Sequence, residues 1–461
     1  MIKQDKMPIM QETRKTQNDK KALMICYYFP PCRYVGTLRS EKYVKYLGQF
    51  GWQSEVLTAY KPNKNVFIDA ENVKIHTIRN IDLYEVAGAM ITVRYFCINF
   101  LKRLYGIFNR KEKGGRQKNF VDANTGGVFR VAGKIRRLML LPDSQCLWIL
   151  PALPAALFKA RQCDVIYSSG GPFSAHVLAL IVHKITKKPW VADYRDEWTL
   201  NSVWFPPTRF HRWLGEKLDA TCVKNARFVV NTTEIRTQNF INKFGGNADK
   251  YATIHNGYDE QDVAPYRKLK PPVDTLIITS IGSLYGGRDA RLLLSVLAEI
   301  IQDGYISKNQ ILLKLIGGQN AVLEQYIRQL EIGSCVEIIP RIPQPQAFEH
   351  LAKSHIALLV GSEMERYAMP TKVYEYAGMG KKILAIVPEG PVWDFVMDCS
   401  GFCAMYNDPA QIKQALRRII DDFRAGLLND QTEVNQNYER RNLAGQQAEL
   451  FNLCISQDVG K

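Results

Sequence analysis

The sequence predicts a parallel α/β protein built as two domains, and three observations carry that prediction. Apolar runs of strand length alternate with segments of helix length. The alternation occurs twice along 461 residues, and 46% hydrophobic content is enough for two packed cores. Between the two sets lies Asp259 to Pro272, polar, proline-bearing and without periodicity, the composition of a linker.

Taken in order, residues 1–21 are polar and charged with no apolar core, which argues against a signal peptide and predicts a disordered tail. The first domain is expected over 22–260, with strands at 22–28, 54–58, 164–168, 190–194, 228–231 and 252–255. A linker follows at 261–272. The second domain is expected over 273–433, with strands at 276–282, 311–317, 336–339, 356–360 and 383–387. Residues 434–461 form a closing helix that braces the domains. No internal repeat is visible, which argues against a solenoid.

Net charge is +16, and its distribution is uneven. Between Arg94 and Arg137 stand 12 Lys or Arg against Glu112 and Asp122, a balance of 12 − 2 = +10. The insertion 87–137 opens with an apolar stretch interrupted by Arg94, Lys102 and Arg103, a poor membrane span. Two readings stand: an amphipathic helix on an anionic membrane surface, or a helix packed on the protein with a basic loop behind it. Ten scattered cysteines show no C-x-x-C pair and no zinc spacing, so a disulfide framework and a metal site are both unexpected. No aromatic-basic recognition motif marks a nucleic-acid partner.

In parallel sheets, ligands bind beyond the carboxyl ends of the strands, where helix N-termini also point. After the first strand, Phe29-Pro-Pro-Cys-Arg-Tyr-Val-Gly36 opens onto a helix and could present backbone N–H groups to an anion or sugar; a merely rigid loop fits equally. Two later strands end in Ser169-Gly-Gly-Pro-Phe-Ser-Ala-His176 and in Asp193-Tyr-Arg-Asp-Glu-Trp198. Asp196 is the candidate for contacting an acceptor or acting as base, although an Asp–Arg pair can equally clamp the loop. His176, on an apolar helix, reads as a packed histidine.

The second domain opens with Gly282-Ser-Leu-Tyr-Gly286-Gly287-Arg288 before a helix. Its glycines permit close backbone approach, and Arg288 can hold a diphosphate bidentately. Pro370 and Gly380 bound a short helix carrying Lys372 and Glu375 three residues apart on one face. A carboxylate there can accept from both ribose hydroxyls, and an ammonium can neutralise a diphosphate. An ordinary surface ion pair is the competing reading. No D-x-D stands at a suitable strand end, which favours chemistry without a metal.

Five pieces in order resemble the bacterial glycosyltransferase family 4 type, whose GT-B fold sets two Rossmann-like domains facing across a cleft. They are the Phe-Pro-Pro loop at Phe29 to Arg39, the Ser168 to His176 element, Asp193 to Trp198, Gly282 to Arg288, and Pro370 to Tyr376. The likeness covers roughly residues 22 to 430. It implies that Glu375 holds the donor ribose, that Arg288 and Lys372 hold the diphosphate, and that Thr371 adds a hydroxyl or amide contact. Gly36, Gly286 and Gly287 would lie against the sugar and phosphates. Two departures stand out: Tyr367 occupies the position of the first glutamate of the family's Glu-x7-Glu signature, with Glu365 as a nearby substitute, and no histidine stands in the Asp193 to Asp196 element.

The resemblance implies a retaining, metal-independent transfer of a sugar from a nucleotide-diphosphate donor, UDP- or GDP-linked, to a lipid-linked or polysaccharide acceptor. The expected setting is cytoplasmic, peripheral on the inner face of the membrane, in cell-surface polysaccharide biosynthesis, with no cofactor beyond the co-substrate. Two alternatives remain: a nucleotide-sugar epimerase on the same scaffold, and a non-catalytic basic binding protein.

Overall fold

The computed structural model describes residues 20–32, 36–60, 72–80, 141–201, 204–284, 287–318, 320–428 and 431–456. The tail up to residue 19 and the insertion expected at 87–137 lie outside the described residues.

The first sheet is wholly parallel, with strands β1 (Lys20–Ile25), β2 (Trp52–Thr58), β3 (Val73–Thr77), β4 (Val165–Ser169), β5 (Trp190–Tyr194), β6 (Phe228–Asn231) and β7 (Tyr251–Thr253). Their spatial order is β3-β2-β1-β4-β5-β6-β7. Helices α1 (Thr37–Leu47), α2 (Ile149–Ala160), α3 (Ser174–Thr186), α4 (Arg209–Asn225) and α5 (Glu234–Phe244) connect them. Continuous apolar runs such as Ala22-Leu-Met-Ile25 are buried on both sides, as a parallel sheet covered by helices requires. Small residues let two helices approach one face closely: Ala152, Ala156 and Ala160 of α2, with Ala175 and Ala179 of α3.

After a short helix α6 (Glu260–Val263), the second sheet carries β8 (Leu276–Ile281), β9 (Ile311–Ile316), β10 (Val336–Ile339), β11 (Ile356–Val360), β12 (Lys382–Ile386) and β13 (Phe402–Ala404). Its order is β10-β9-β8-β11-β12-β13, again all parallel. The intervening helices are α7 (Arg291–Gln302), α8 (Ala321–Gln329), α9 (Gln344–Ala352), α10 (Thr371–Gly378) and α11 (Pro391–Asp398), followed by α12 (Pro409–Arg424) and α13 (Arg440–Ser456). In both sheets the order reverses beside the domain's first strand, β1/β4 and β8/β11, the switch points where ligands enter doubly wound folds.

Three features differ from the sequence expectations. β1 begins at Lys20, so Lys20 and Lys21 belong to the fold: Lys20 Nζ donates to Asn452 and Lys21 N to Asp164, at 2.9 and 2.8 Å. Strands β3 and β13 escaped notice, β3 because it is half-buried with no apolar run, β13 because it is three residues long. The linker is helical at its start, because Asp259 caps α6 and is itself fixed to α1 by Lys42 at 2.6 Å and by Lys45 and Tyr46 at 2.7 Å. Burial would raise this carboxyl, but the two ammonium groups hold it down to about 2.

The chain returns beside its outward crossing, Tyr258 N donating to Tyr438 O and Arg440 N to Tyr258 O. Helix α13 then packs Leu443, Ala444, Ala448 and Phe451 against α1 and the first sheet. The last helix is thus a core element of the first domain.

Candidate functional site

At the carboxyl end of β8 the backbone turns at Gly282 with φ +121°, a conformation that favours glycine. A Cβ there would lie 1.6 Å from Lys372 Nζ, so the ammonium rests directly on the Gly282 Cα. Lys372 comes from the first turn of α10, which Thr371 opens after the extended Pro370. The helix is held by Val373, Tyr374 and Tyr376, all buried, and by the Tyr376 hydroxyl, which accepts from Ile281 N at 3.1 Å. Sequence and packing therefore aim Lys372 at the switch point of the second sheet.

Around it stand the other charges. Arg288 forms a two-pronged pair with Glu365, Nε to Oε2 at 2.7 Å and Nη2 to Oε1 at 2.5 Å. Gln344, at the start of α9, donates to Glu375 Oε1 at 3.3 Å. Burial, reinforced by Arg288, pulls the Lys372 ammonium from its ordinary 10.5 down to about 8. Burial pushes the Glu375 carboxyl up to about 7, against the pull of Arg440 and Lys372. The Lys372–Glu375 surface pair is not formed: no ion pair joins them, and both groups sit where their charged forms are underpaid by the protein alone. Such a setting suits a ligand that supplies phosphate oxygens to one and hydroxyl donors to the other.

Gly287 has φ +91° and faces Ser362, while Gly286 lies outside the described residues. Tyr367 is 43% exposed. The acid beside the basic pair is Glu365.

The first domain answers with a different set. Gly36 starts α1, and a Cβ on it would lie 2.2 Å from Arg195 Cζ. The Arg195 guanidinium thus lies over this glycine, donates to Gly171 O at 2.5 Å, and pairs with Asp196 at 2.8 Å. Asp196 keeps half its side chain exposed. Asp193 is fully buried, accepting from Arg39 Nε at 2.7 Å and from the Tyr167 hydroxyl at 2.6 Å, so this acid of the pair is a clamp. His176 is buried against Ser168 at 2.7 Å, and burial with Arg195 nearby lowers it to about 3, leaving a neutral packed ring.

The structure therefore gathers Arg288, Lys372, Glu365 and Glu375 at one switch point, and Gly36, Arg195 and Asp196 at the other. The sequence points to Arg195 only as the partner in a possible Asp–Arg clamp, one residue past β5, and not to its place over Gly36. Gln344 carried no signal, because only the fold brings α9 beside α10.

Residues 266–439 match the family model for glycosyl transferases group 1. Among solved structures, HepE of Anabaena in complex with UDP superposes at TM-score 0.56 with 14% identity, covering 95% of this chain and 98% of that one. Sucrose-phosphate synthase of Thermosynechococcus elongatus gives 0.59 with 13% identity over 95% and 100%. A glycosyltransferase of Rickettsia africae gives 0.56 with 12% over 95% and 99%. No curated protein matches the chain in sequence. The class is thereby defined at the level of fold and of one domain: the chain has the GT-B fold, and its second half matches the group 1 glycosyl transferases. The match spans the second domain and the turns on either side of it.

Proposed function

We propose that the protein transfers a sugar, with retention and without a metal, from a nucleotide-diphosphate donor to a lipid-linked or polysaccharide acceptor in cell-surface polysaccharide biosynthesis. The single observation that carries the donor half is the Lys372 ammonium seated on Gly282 beside Arg288, with the Glu375 carboxyl on the same helix. Two cations at a strand end can absorb the charge that builds on a leaving diphosphate, the work a metal performs elsewhere. Glu375 would accept from the ribose hydroxyls, and Thr371 and Gly287 would lie along the phosphates. HepE of Anabaena, with the same fold, is known with UDP and with UDP-glucose, which favours a UDP-linked donor.

Across the cleft, Asp196 with Arg195 would meet the acceptor, and Gly36 would leave room for the sugar. The family 4 assignment rests on the five motifs, and a cytoplasmic site on the inner membrane face on the basic segment 87–137 and the acceptor's chemistry. Among the described residues no helix is long and apolar enough to cross a membrane.

The test is release of nucleoside diphosphate during incubation with a panel of nucleotide sugars, with and without membrane extracts. Acceptor-dependent release supports the proposal. Conversion of donor with no acceptor present points instead to an epimerase, and no turnover across the panel overturns the reading.

A further inference from the structure

Three exposed aromatic side chains fall between residues 205 and 213: Phe205 at 81% exposure, Phe210 at 59% and Trp213 at 51%. Soluble surfaces rarely group large apolar side chains in this way without a partner. The segment is ordered by its own contacts. Thr208 caps α4 by accepting from His211 N at 3.3 Å and meets His211 Nδ1 at 2.6 Å. Trp204 packs on Gly215, where a Cβ would lie 2.7 Å from its ring, and this fixes the loop that presents Phe205. The aromatic rings of Phe210 and Trp213 lie 5.9 Å apart, and Lys217 Nζ stands 4.9 Å from the Trp213 ring.

Interleaved with these rings are exposed Arg209, Arg212 and Lys217, against one exposed acid, Glu216. Aromatic side chains that are apolar in body and basic groups beside them match the boundary between acyl chains and anionic headgroups. The location matters as much as the composition. Helix α4 follows β5, so its N-terminal end lies at the carboxyl edge of the first sheet, the edge that carries Gly36, Gly171 and Arg195.

We propose that this end of α4 docks on an anionic lipid bilayer, with Phe205, Phe210 and Trp213 in the interfacial layer and Arg209, Arg212 and Lys217 on lipid phosphates. Docking this edge brings the acceptor side of the cleft to the membrane surface. For that purpose it rests on the lipid-linked acceptor reading above, but binding to lipid and transfer of sugar are measured separately, so either can fail alone.

The experiment is sedimentation of the full chain with vesicles of phosphatidylcholine, with and without phosphatidylglycerol. The unaltered chain is expected to sediment with the anionic vesicles. The double variant Phe210→Ser/Trp213→Ser should lose at least about tenfold in partitioning while keeping its melting temperature and its UDP affinity. Arg209→Gln/Arg212→Gln should lose the preference for anionic vesicles. As an arm independent of that serine pair, Trp213→Phe should still sediment but show a smaller vesicle-induced blue shift of tryptophan emission. The proposal is overturned if the unaltered chain ignores both vesicle types, or if it self-associates through this face without lipid. Wild-type partitioning by the serine variant also overturns it, since membrane attraction would then come from elsewhere, the basic segment 87–137 included.

Discussion

The two domains share one topology and use their switch points in opposite ways. In the first, the charges are answered within the protein: Asp193 by Arg39 and Tyr167, Arg195 by Asp196 and the Gly171 carbonyl. In the second, burial outweighs the nearby opposite charges, so that Lys372 and Glu375 are pushed toward their neutral forms and neither forms an ion pair. A site whose charges are already matched is a scaffold with a shaped surface. One whose charges are left unmatched holds its affinity in reserve for a ligand, because binding removes the penalty.

The contrast predicts that equal-sized insults to the two domains fail differently. Asp193→Asn leaves the Arg39 guanidinium buried without its partner, and breaking such a pair costs about 3 to 5 kcal/mol. Denaturant unfolding should register that loss, while the affinity of the folded fraction for UDP stays unchanged. An altered affinity with intact stability would place Asp193 in the site and dissolve the distinction.

Lys372→Met should do the reverse. Removing a preorganised cation from a leaving diphosphate costs about 100-fold in turnover. Stability should hold or rise. With its pKa near 8, below the ordinary 10.5, the charged lysine weakens the free protein at neutral pH, a penalty that fades only as pH climbs from 8 toward 10.5. A large drop in melting temperature would show that Lys372 is structural.

Much of this contrast could be read from the sequence, and the reason it could is physical. Apolar runs at 190–194, 228–231 and 356–360 coincide with β5, β6 and β11, since strands buried on both faces leave no choice of pattern. Lys372 and Glu375 were legible because helix ends and strand ends are marked by proline, glycine and apolar runs. What stayed hidden depended on tertiary approach. The Gly282–Lys372 contact joins residues 90 apart, Arg195 meets Gly36 from across the sheet, and Glu365 reaches Arg288 from a single 3-10 turn that no apolar pattern marks. Charge pairing is likewise invisible in sequence: the Asp193 clamp and the Asp196 candidate sit three residues apart in one motif.

The unmatched charges also set a pH signature. At the proposed donor site, binding would require Lys372 protonated and Glu375 ionised, and their free-protein values are about 8 and about 7. Affinity for UDP should therefore rise as pH passes 7, peak between the two values, and fall by up to about tenfold per unit above 8. Titration calorimetry across this range, repeated with Lys372→Arg, separates the limbs. Arginine stays charged, so the alkaline fall should vanish and the acid rise remain. A profile flat from pH 6 to 9 in the parent protein would contradict the assignment of both groups.

The smallest expected effect tests the ion pair that the second switch point does form internally, Arg288 with Glu365. Glu365 occupies Arg288 through both oxygens, the same fork that a phosphate would use. A bound diphosphate must share or displace that carboxylate, so Glu365→Gln should tighten UDP binding. The pair is partly exposed, with side chains 24% and 35% accessible, so the gain is held to about two- to fivefold. If Glu365 also contacts the donor sugar where Tyr367 stands away from the basic pair, the same variant should bind the nucleotide better and turn over the nucleotide sugar more slowly. Tighter binding with unchanged turnover would limit Glu365 to competing for Arg288. Weaker UDP binding would mean that the carboxylate orients the guanidinium for the phosphate, and the second switch point would then be more like the first than its pKa values suggest.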